Sequence, residues 1–164
     1  MSLGLYLHIP YCFSKCRYCD FYSHPGERGV PEAYVDALLR ELDRFAPEAP
    51  LQPDTLYFGG GTPSLLRPEQ AKRLIDAARP MPGAEITLEA NPETVTEESL
   101  AGFREAGVNR ISFGVQSARD TQLRTLGRPH TAKQARAAFA AARRAGFANI
   151  SGDIMLALPH YTEA

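Results

Sequence analysis

The chain has 164 residues, 44% hydrophobic and 23% charged, which suits one globular domain with a sizeable core. Its net charge of −1 gives no electrostatic ground for binding nucleic acid or an anionic membrane surface. No apolar run approaches the roughly 18 residues of a membrane span, and Met1–His8 carries no basic leader or cleavage site, so a cytoplasmic protein without a stable membrane anchor is expected.

Strand-like and helix-like segments alternate along the chain. Gly4 to Ile9 is short, apolar and stopped by Pro10. A cysteine-bearing loop follows and ends near Pro25-Gly26. Pro31 to Phe45 reads as a helix, with Tyr34, Leu38, Leu39, Leu42 and Phe45 on one face and Pro31 in the first turn. Thr55 to Phe58 is a second strand, running directly into Gly59-Gly60-Gly61-Thr62-Pro63, and Pro68 to Arg79 is a second helix. Glu85 to Glu89 alternates with period two and enters the turn signal Ala90-Asn91-Pro92. Thr96 caps a third helix with an acidic first turn, and Gly107 ends it. Arg110 to Val115 is a fourth strand, followed by Gln116-Ser117. An Ala-rich helix covers Thr131 to Arg144 and stops at Gly146, and Asn149 to Leu156 is a fifth strand.

Strands separated by helices predict parallel pairing and an α/β class. In such folds the C-terminal ends of the strands carry the ligands. The polar clusters fall there: the cysteines, Gly59 to Thr62, Glu89, Gln116 and Asp153. This predicts one shared site, on a barrel or half-barrel of about five βα units, not a sheet with a single switch point.

The three cysteines of the chain all lie within Cys12-Phe13-Ser14-Lys15-Cys16-Arg17-Tyr18-Cys19. An odd, clustered set in a cytoplasmic protein suggests metal or catalysis before disulfides. Soft thiolates suit an iron–sulfur cluster or zinc. Four cysteines saturate a cubane cluster, whereas three leave one iron open. A zinc site could recruit His8, Asp20 or His24 as a fourth ligand, although zinc ligands usually come as two separated pairs. Cys16 and Cys19 could form a redox dithiol, but such pairs normally open a helix after a strand. Tyr6, His8, Tyr11, Phe13, Tyr18, Phe21 and Tyr22 surround the loop with aromatic bulk, a shell that would limit water access. His8 itself reads as a hydrogen-bonded strand histidine.

The run Tyr6 to Ser23 resembles the cluster loop of radical S-adenosylmethionine (SAM) proteins, and more narrowly that of the oxygen-independent coproporphyrinogen III oxidase family. Gly59 to Leu65, Glu89-Ala90-Asn91-Pro92, Asn109 to Ser117, Leu126 to His130 and the strand around Asp153 match that family's successive blocks in order, over nearly all of the chain. The resemblance implies that Cys12, Cys16 and Cys19 hold a 4Fe-4S cluster whose fourth iron is chelated by the amino and carboxylate groups of SAM. It also implies a cytosolic electron donor and cleavage of SAM to a 5′-deoxyadenosyl radical. By the same match, Tyr6 and Tyr18 lie beside SAM, and Gly60, Gly61 and Thr62 contact it from the second strand end. Glu89, Gln116, Arg128 and Asp153 complete the SAM pocket and its porphyrin-side neighbour. Without the resemblance, the glycine run is a tight turn, Glu89 and Asp153 are caps, and Arg128 is a solvated charge.

Two departures from the pattern matter. The porphyrin-oxidising branch carries a further cysteine two residues after the third, where this chain has Phe21. That points to the HemW-like branch, taken to be heme chaperones, with heme as the expected partner. Oxidative decarboxylation of coproporphyrinogen III to protoporphyrinogen IX is the alternative, and a zinc-stabilised, non-catalytic binding module a second one. The family's Gly-Leu-Pro-Gly-Gln-Thr reads here Ala157-Leu158-Pro159-His160-Tyr161-Thr162. Because the family is longer, residues 1–164 are expected to be the N-terminal part of a radical SAM core. The expected barrel is partial and truncated, with its last strand at an exposed apolar edge and no C-terminal domain.

Overall fold

A computed structural model describes residues 3–45 and 51–158. In chain order it contains β1 (Gly4–Ile9), β2 (Tyr11–Cys12), β3 (His24–Pro25), α1 (Glu32–Phe45) and β4 (Thr55–Gly60). These are followed by α2 (Pro68–Ala78), β5 (Glu85–Ala90), α3 (Glu97–Ala106) and β6 (Arg110–Gln116). The last described elements are α4 (Asp120–Leu126), α5 (Ala132–Arg144) and β7 (Asn149–Ile154).

The long strands pair in parallel in the order β1-β4-β5-β6-β7. Spatial order follows chain order with no reversal, so the sheet has no switch point and forms the wall of a partial barrel. Alternation within each strand explains its two faces. One in-register row, Leu7, Phe58, Leu88, Ile111 and Ile150, is apolar on every strand. Its first four members are buried, and α1, α2, α3 and α5 lie side by side over the core they belong to. Burying each such side chain contributes about 1.5–3 kcal/mol. The residues one step along each strand, among them His8, Gly59, Glu89, Ser112 and Ser151, face the opposite side. That side is polar, and the cysteine loop covers its C-terminal end.

Local signals account for several boundaries. Ser99 donates its backbone N–H to the Thr96 hydroxyl at 3.1 Å, and Thr96 N–H is received by Ser99 Oγ at 2.9 Å. Gly107 then closes α3 at φ +114°, a conformation open to glycine.

Other features depart from the sequence reading. Helix α4 was not anticipated, and the fifth strand ends at Ile154 instead of Leu156. Phe45, expected on the buried face of α1, is 75% exposed. It is the last residue of its helix, and none of the described residues covers it as Leu42 is covered. Among the described residues β7 lies at one edge of the sheet, with Ile154 65% exposed. His160 and its neighbours at 159–164 lie outside the described residues. Among the described residues no helix is long and apolar enough to cross a membrane.

Candidate functional site

Pro10 interrupts β1 and turns the chain into the short β2–β3 ladder, where Tyr11 pairs with His24 and Cys12 with Pro25. Backbone bonds from His24 N to Pro10 O (2.6 Å), Gly26 N to Phe13 O (3.2 Å) and Glu27 N to Cys12 O (3.1 Å) tie the base of the loop. All three cysteines are free, Cys12 buried and Cys16 and Cys19 half-buried. Cys19 N donates to Cys16 O at 3.2 Å, so these two occupy a turn and not the helix start a redox dithiol would use. Among the described residues, no three His, Cys, Asp or Glu side chains converge as a single metal ion requires. The thiols instead line the wall of one cavity at the C-terminal end of the sheet.

Four strand ends complete that cavity. From β4 come Gly60, Gly61 and Thr62, from β5 Glu89 and Asn91, from β6 Ser112, Gly114 and Gln116, and from β7 Asp153. Tyr18 and Arg128 close the side next to the cysteine loop. Eleven of the twelve residues that the resemblance assigns to the cluster or to SAM therefore line one space. Tyr6 does not: its ring stacks on Tyr57 at 5.9 Å and its hydroxyl lies 3.3 Å from His8 Nδ1.

The acids and bases are fixed by specific partners. Glu89 Oε2 accepts from Gly60 N at 3.1 Å and Oε1 accepts from the Tyr57 hydroxyl at 2.7 Å. This carboxylate thus holds the glycine turn in place. Burial, then the hydrogen bond to Glu89, raises the Tyr57 phenol above its usual value. Gly60 has φ +116°, and a β-carbon there would sit 2.6 Å from the His8 ring, so only glycine fits. His8 Nε2 lies 3.2 Å from the Tyr22 carbonyl oxygen, confirming a hydrogen-bonded strand histidine.

Arg128 is 8% exposed. Its guanidinium donates to Cys16 Sγ (3.3 Å), Asn91 Oδ1 (2.5 Å) and Gly114 O (2.8 Å). Burial opposes its charge, but Cys16, Glu93 and Tyr18 outweigh that and hold it above the ordinary arginine value. Burial pushes the Tyr18 phenol up to about 12, with Arg128 pulling the other way and Cys16 adding to the rise. Two residues further on, His130 is buried between Glu93 Oε2 and Val115 O, each at 3.1 Å, and anchors the Arg128 segment to β6.

Gln116 adopts φ +64°, where register slips between Gly114 and Gln116 along β6 and β7. Such a bulge re-aims a side chain at a strand end.

The sequence reading missed Ser23, Asn91, Ser112 and Gly114 as members of the site. Gly114 left a usable signal, since a glycine inside a strand often marks close approach of another group. The expected aromatic shell is open: Phe13, Phe21 and Tyr22 are 47%, 67% and 71% exposed. The loop is tied at its base and again in its middle, where Arg17 N donates to Leu126 O at 3.0 Å, and these three rings lie outside both ties.

The cavity has the donor set that a thiolate-held cluster with a polar co-ligand needs. Three free thiols share it with cationic Arg128, acidic Glu89 and Asp153, and the strand-end glycines Gly60, Gly61 and Gly114. Two buried polar atoms without a partner among the described residues, Ser23 Oγ and Arg128 Nε, both belong to residues lining it. Unpartnered buried polar atoms are costly, which suits a polar ligand completing the site.

A parallel partial barrel with three clustered cysteines at its strand ends defines a class, and the Radical SAM superfamily model matches residues 6–164: the chain belongs to that superfamily. Membership implies a 4Fe-4S cluster and SAM. Over 163 residues the chain is 44% identical to "Heme chaperone HemW" of Escherichia coli, covering 96% of this chain and 43% of that protein. The Bacillus subtilis protein of the same name is 41% identical, with 96% and 43% covered. Among solved structures, "Coproporphyrinogen III oxidase (HemN) from Escherichia coli is a Radical SAM enzyme" superposes with a TM-score of 0.87 at 31% identity, covering 98% of this chain and 38% of that one. The chain thus spans less than half the length of these relatives.

Proposed function

We propose that residues 1–164 form a radical SAM core in which Cys12, Cys16 and Cys19 hold a 4Fe-4S cluster, and that the protein acts in the cytoplasm as a HemW-like heme chaperone. The observation that carries the reading is the convergence of three free thiols and four strand ends on one cavity, in a chain 44% identical to a heme chaperone. The cluster, when bound, supplies an electron from a cytosolic donor to SAM. The protein's own residues bind and orient. Arg128 presents a buried cation suited to the SAM carboxylate, and Glu89 and Asp153 present acceptors for amino or hydroxyl groups. Gly60 and Gly61 bring the strand-end backbone to the cavity wall by packing against His8 and the cysteine loop, Thr62 and Gln116 add polar contacts, and Tyr18 caps the cavity beside the cysteine loop.

Anaerobic reconstitution with iron and sulfide, followed by EPR of the reduced protein with and without SAM, tests the core. A cubane signal that changes on adding SAM supports it, and a colourless, zinc-loaded protein would remove it. Heme titration then tests the chaperone function, which requires saturable binding. The similarity to the HemN structure favours a second reading, oxidation of coproporphyrinogen III. Phe21, at the mouth of the cavity where that branch carries another cysteine, weighs against it. Anaerobic turnover of the porphyrinogen would decide for the enzyme.

A further inference from the structure

Asn91 stands between two of the three cysteines. Its Nδ2 donates to Thr62 Oγ1 at 3.2 Å, and the Thr62 hydroxyl donates to Cys12 Sγ at 3.6 Å. On its other side, Oδ1 accepts from Arg128 Nη2 at 2.5 Å, and Nη1 of the same guanidinium donates to Cys16 Sγ at 3.3 Å. The directions are forced. A guanidinium only donates, so it takes the amide oxygen and leaves Nδ2 for Thr62. Having accepted from Nδ2, the Thr62 hydroxyl turns its own proton to the sulfur. Thr62 is 3% exposed, so bulk water does not compete for that proton. A β-carbon on Gly114 would lie 3.0 Å from Asn91 Oδ1 and 3.3 Å from Arg128 Nη2, so the glycine inside β6 makes room for the junction.

We propose that Asn91 is a positioning residue. It orients two donors, the Thr62 hydroxyl and the Arg128 guanidinium, onto the Cys12 and Cys16 sulfurs and thereby raises the reduction potential of the cluster those thiolates hold. The inference rests on the cluster assignment made above. Hydrogen bonds to ligand sulfurs favour the more negative, reduced cluster. Neither arm reaches Cys19, so the adjustment acts on two of three ligands.

The test is an EPR-monitored redox titration of the reconstituted protein in the absence of SAM. Asn91→Ala and Thr62→Val are expected to move the midpoint potential to more negative values. Thr62→Ser, which keeps the hydroxyl, is expected to retain the wild-type value. Because Asn91 acts partly through Thr62, the double variant should fall by less than the sum of the single shifts. Thr62→Val keeps the side-chain shape, so it decides the matter should Asn91→Ala fail to fold. A full cluster content with an unmoved potential in Thr62→Val would overturn this inference alone. A wild-type protein that assembles no cluster would overturn the proposed function along with it.

Discussion

A β-carbon on Gly61 would lie 2.9 Å from the Cys12 sulfur and 2.7 Å from the Tyr11 carbonyl oxygen. The glycine run is therefore packed against the cysteine loop itself, and Gly61 N is held there by a 2.8 Å bond to Ile9 O. Gly61→Ala should displace Cys12 and lower the iron and sulfide bound per chain, while far-UV circular dichroism stays unchanged. Full iron content in that variant would contradict the close packing.

Replacing any one of Cys12, Cys16 or Cys19 with Ala should abolish cluster assembly and leave the α/β fold in place. The loop is tied at its base by backbone bonds that do not involve the sulfurs. A Cys16→Ala protein with a normal cubane signal would refute the ligand assignment.

The tyrosines set an alkaline limit. Burial raises the phenols of Tyr57, Tyr18, Tyr34 and Tyr6 above 10.0. The folded state thus keeps protons that the unfolded state releases near pH 10. The stability they contribute is complete below that value and falls as pH rises from 10 toward the folded-state values. Denaturant midpoints should drop between pH 9 and 11 (about one pH unit either side of the free phenol value), and Tyr57→Phe should make the drop shallower. An identical slope in that variant would discount Tyr57.

Gln116 carries a side chain at φ +64°, a conformation that costs a non-glycine residue about 1–2 kcal/mol. Gln116→Gly relieves that cost and loses about 0.5–1 kcal/mol to backbone entropy. Its melting temperature should therefore match or exceed the wild type, while SAM affinity falls because the side chain leaves the cavity. Unchanged affinity would take Gln116 out of the site.

Phe113 is fully buried, its ring centroid 5.0 Å from that of Phe139 beneath α5. Phe113→Ala should cost about 3–5 kcal/mol in denaturant unfolding. A loss below about 1 kcal/mol would mean that the sheet–helix core collapses around the gap.

Much of this was legible because it is local. The short apolar run Gly4 to Ile9 stopped by Pro10, and the alternation of Ile86 and Leu88, each mark a strand, and Thr96 and Gly107 mark both ends of α3. Helix α4 is short and lacks a side-chain cap, so it left no periodic signal to read. Phe45 followed the period of its helix yet lies exposed, since periodicity tells which face a residue is on and not whether a neighbour reaches it. Asn91 read as a turn residue, and its turn role is real: Thr94 N donates to Asn91 O at 3.0 Å. Its side-chain role was invisible because Thr62 and Arg128 lie 29 and 37 residues away.

The sequence by itself determined the βα alternation, the three sulfur donors and the strand ends on which the polar residues sit, because these follow from spacing and period along the chain. Only the tertiary structure decided which of those residues meet. It put Tyr6 against Tyr57 outside the cavity, gave Glu89 to Gly60 and Tyr57, and joined Cys12 to Cys16 through Thr62, Asn91 and Arg128. Parallel strands bring residues from separate βα units side by side, and the hydrogen-bond partners of a buried polar group are fixed by that long-range register.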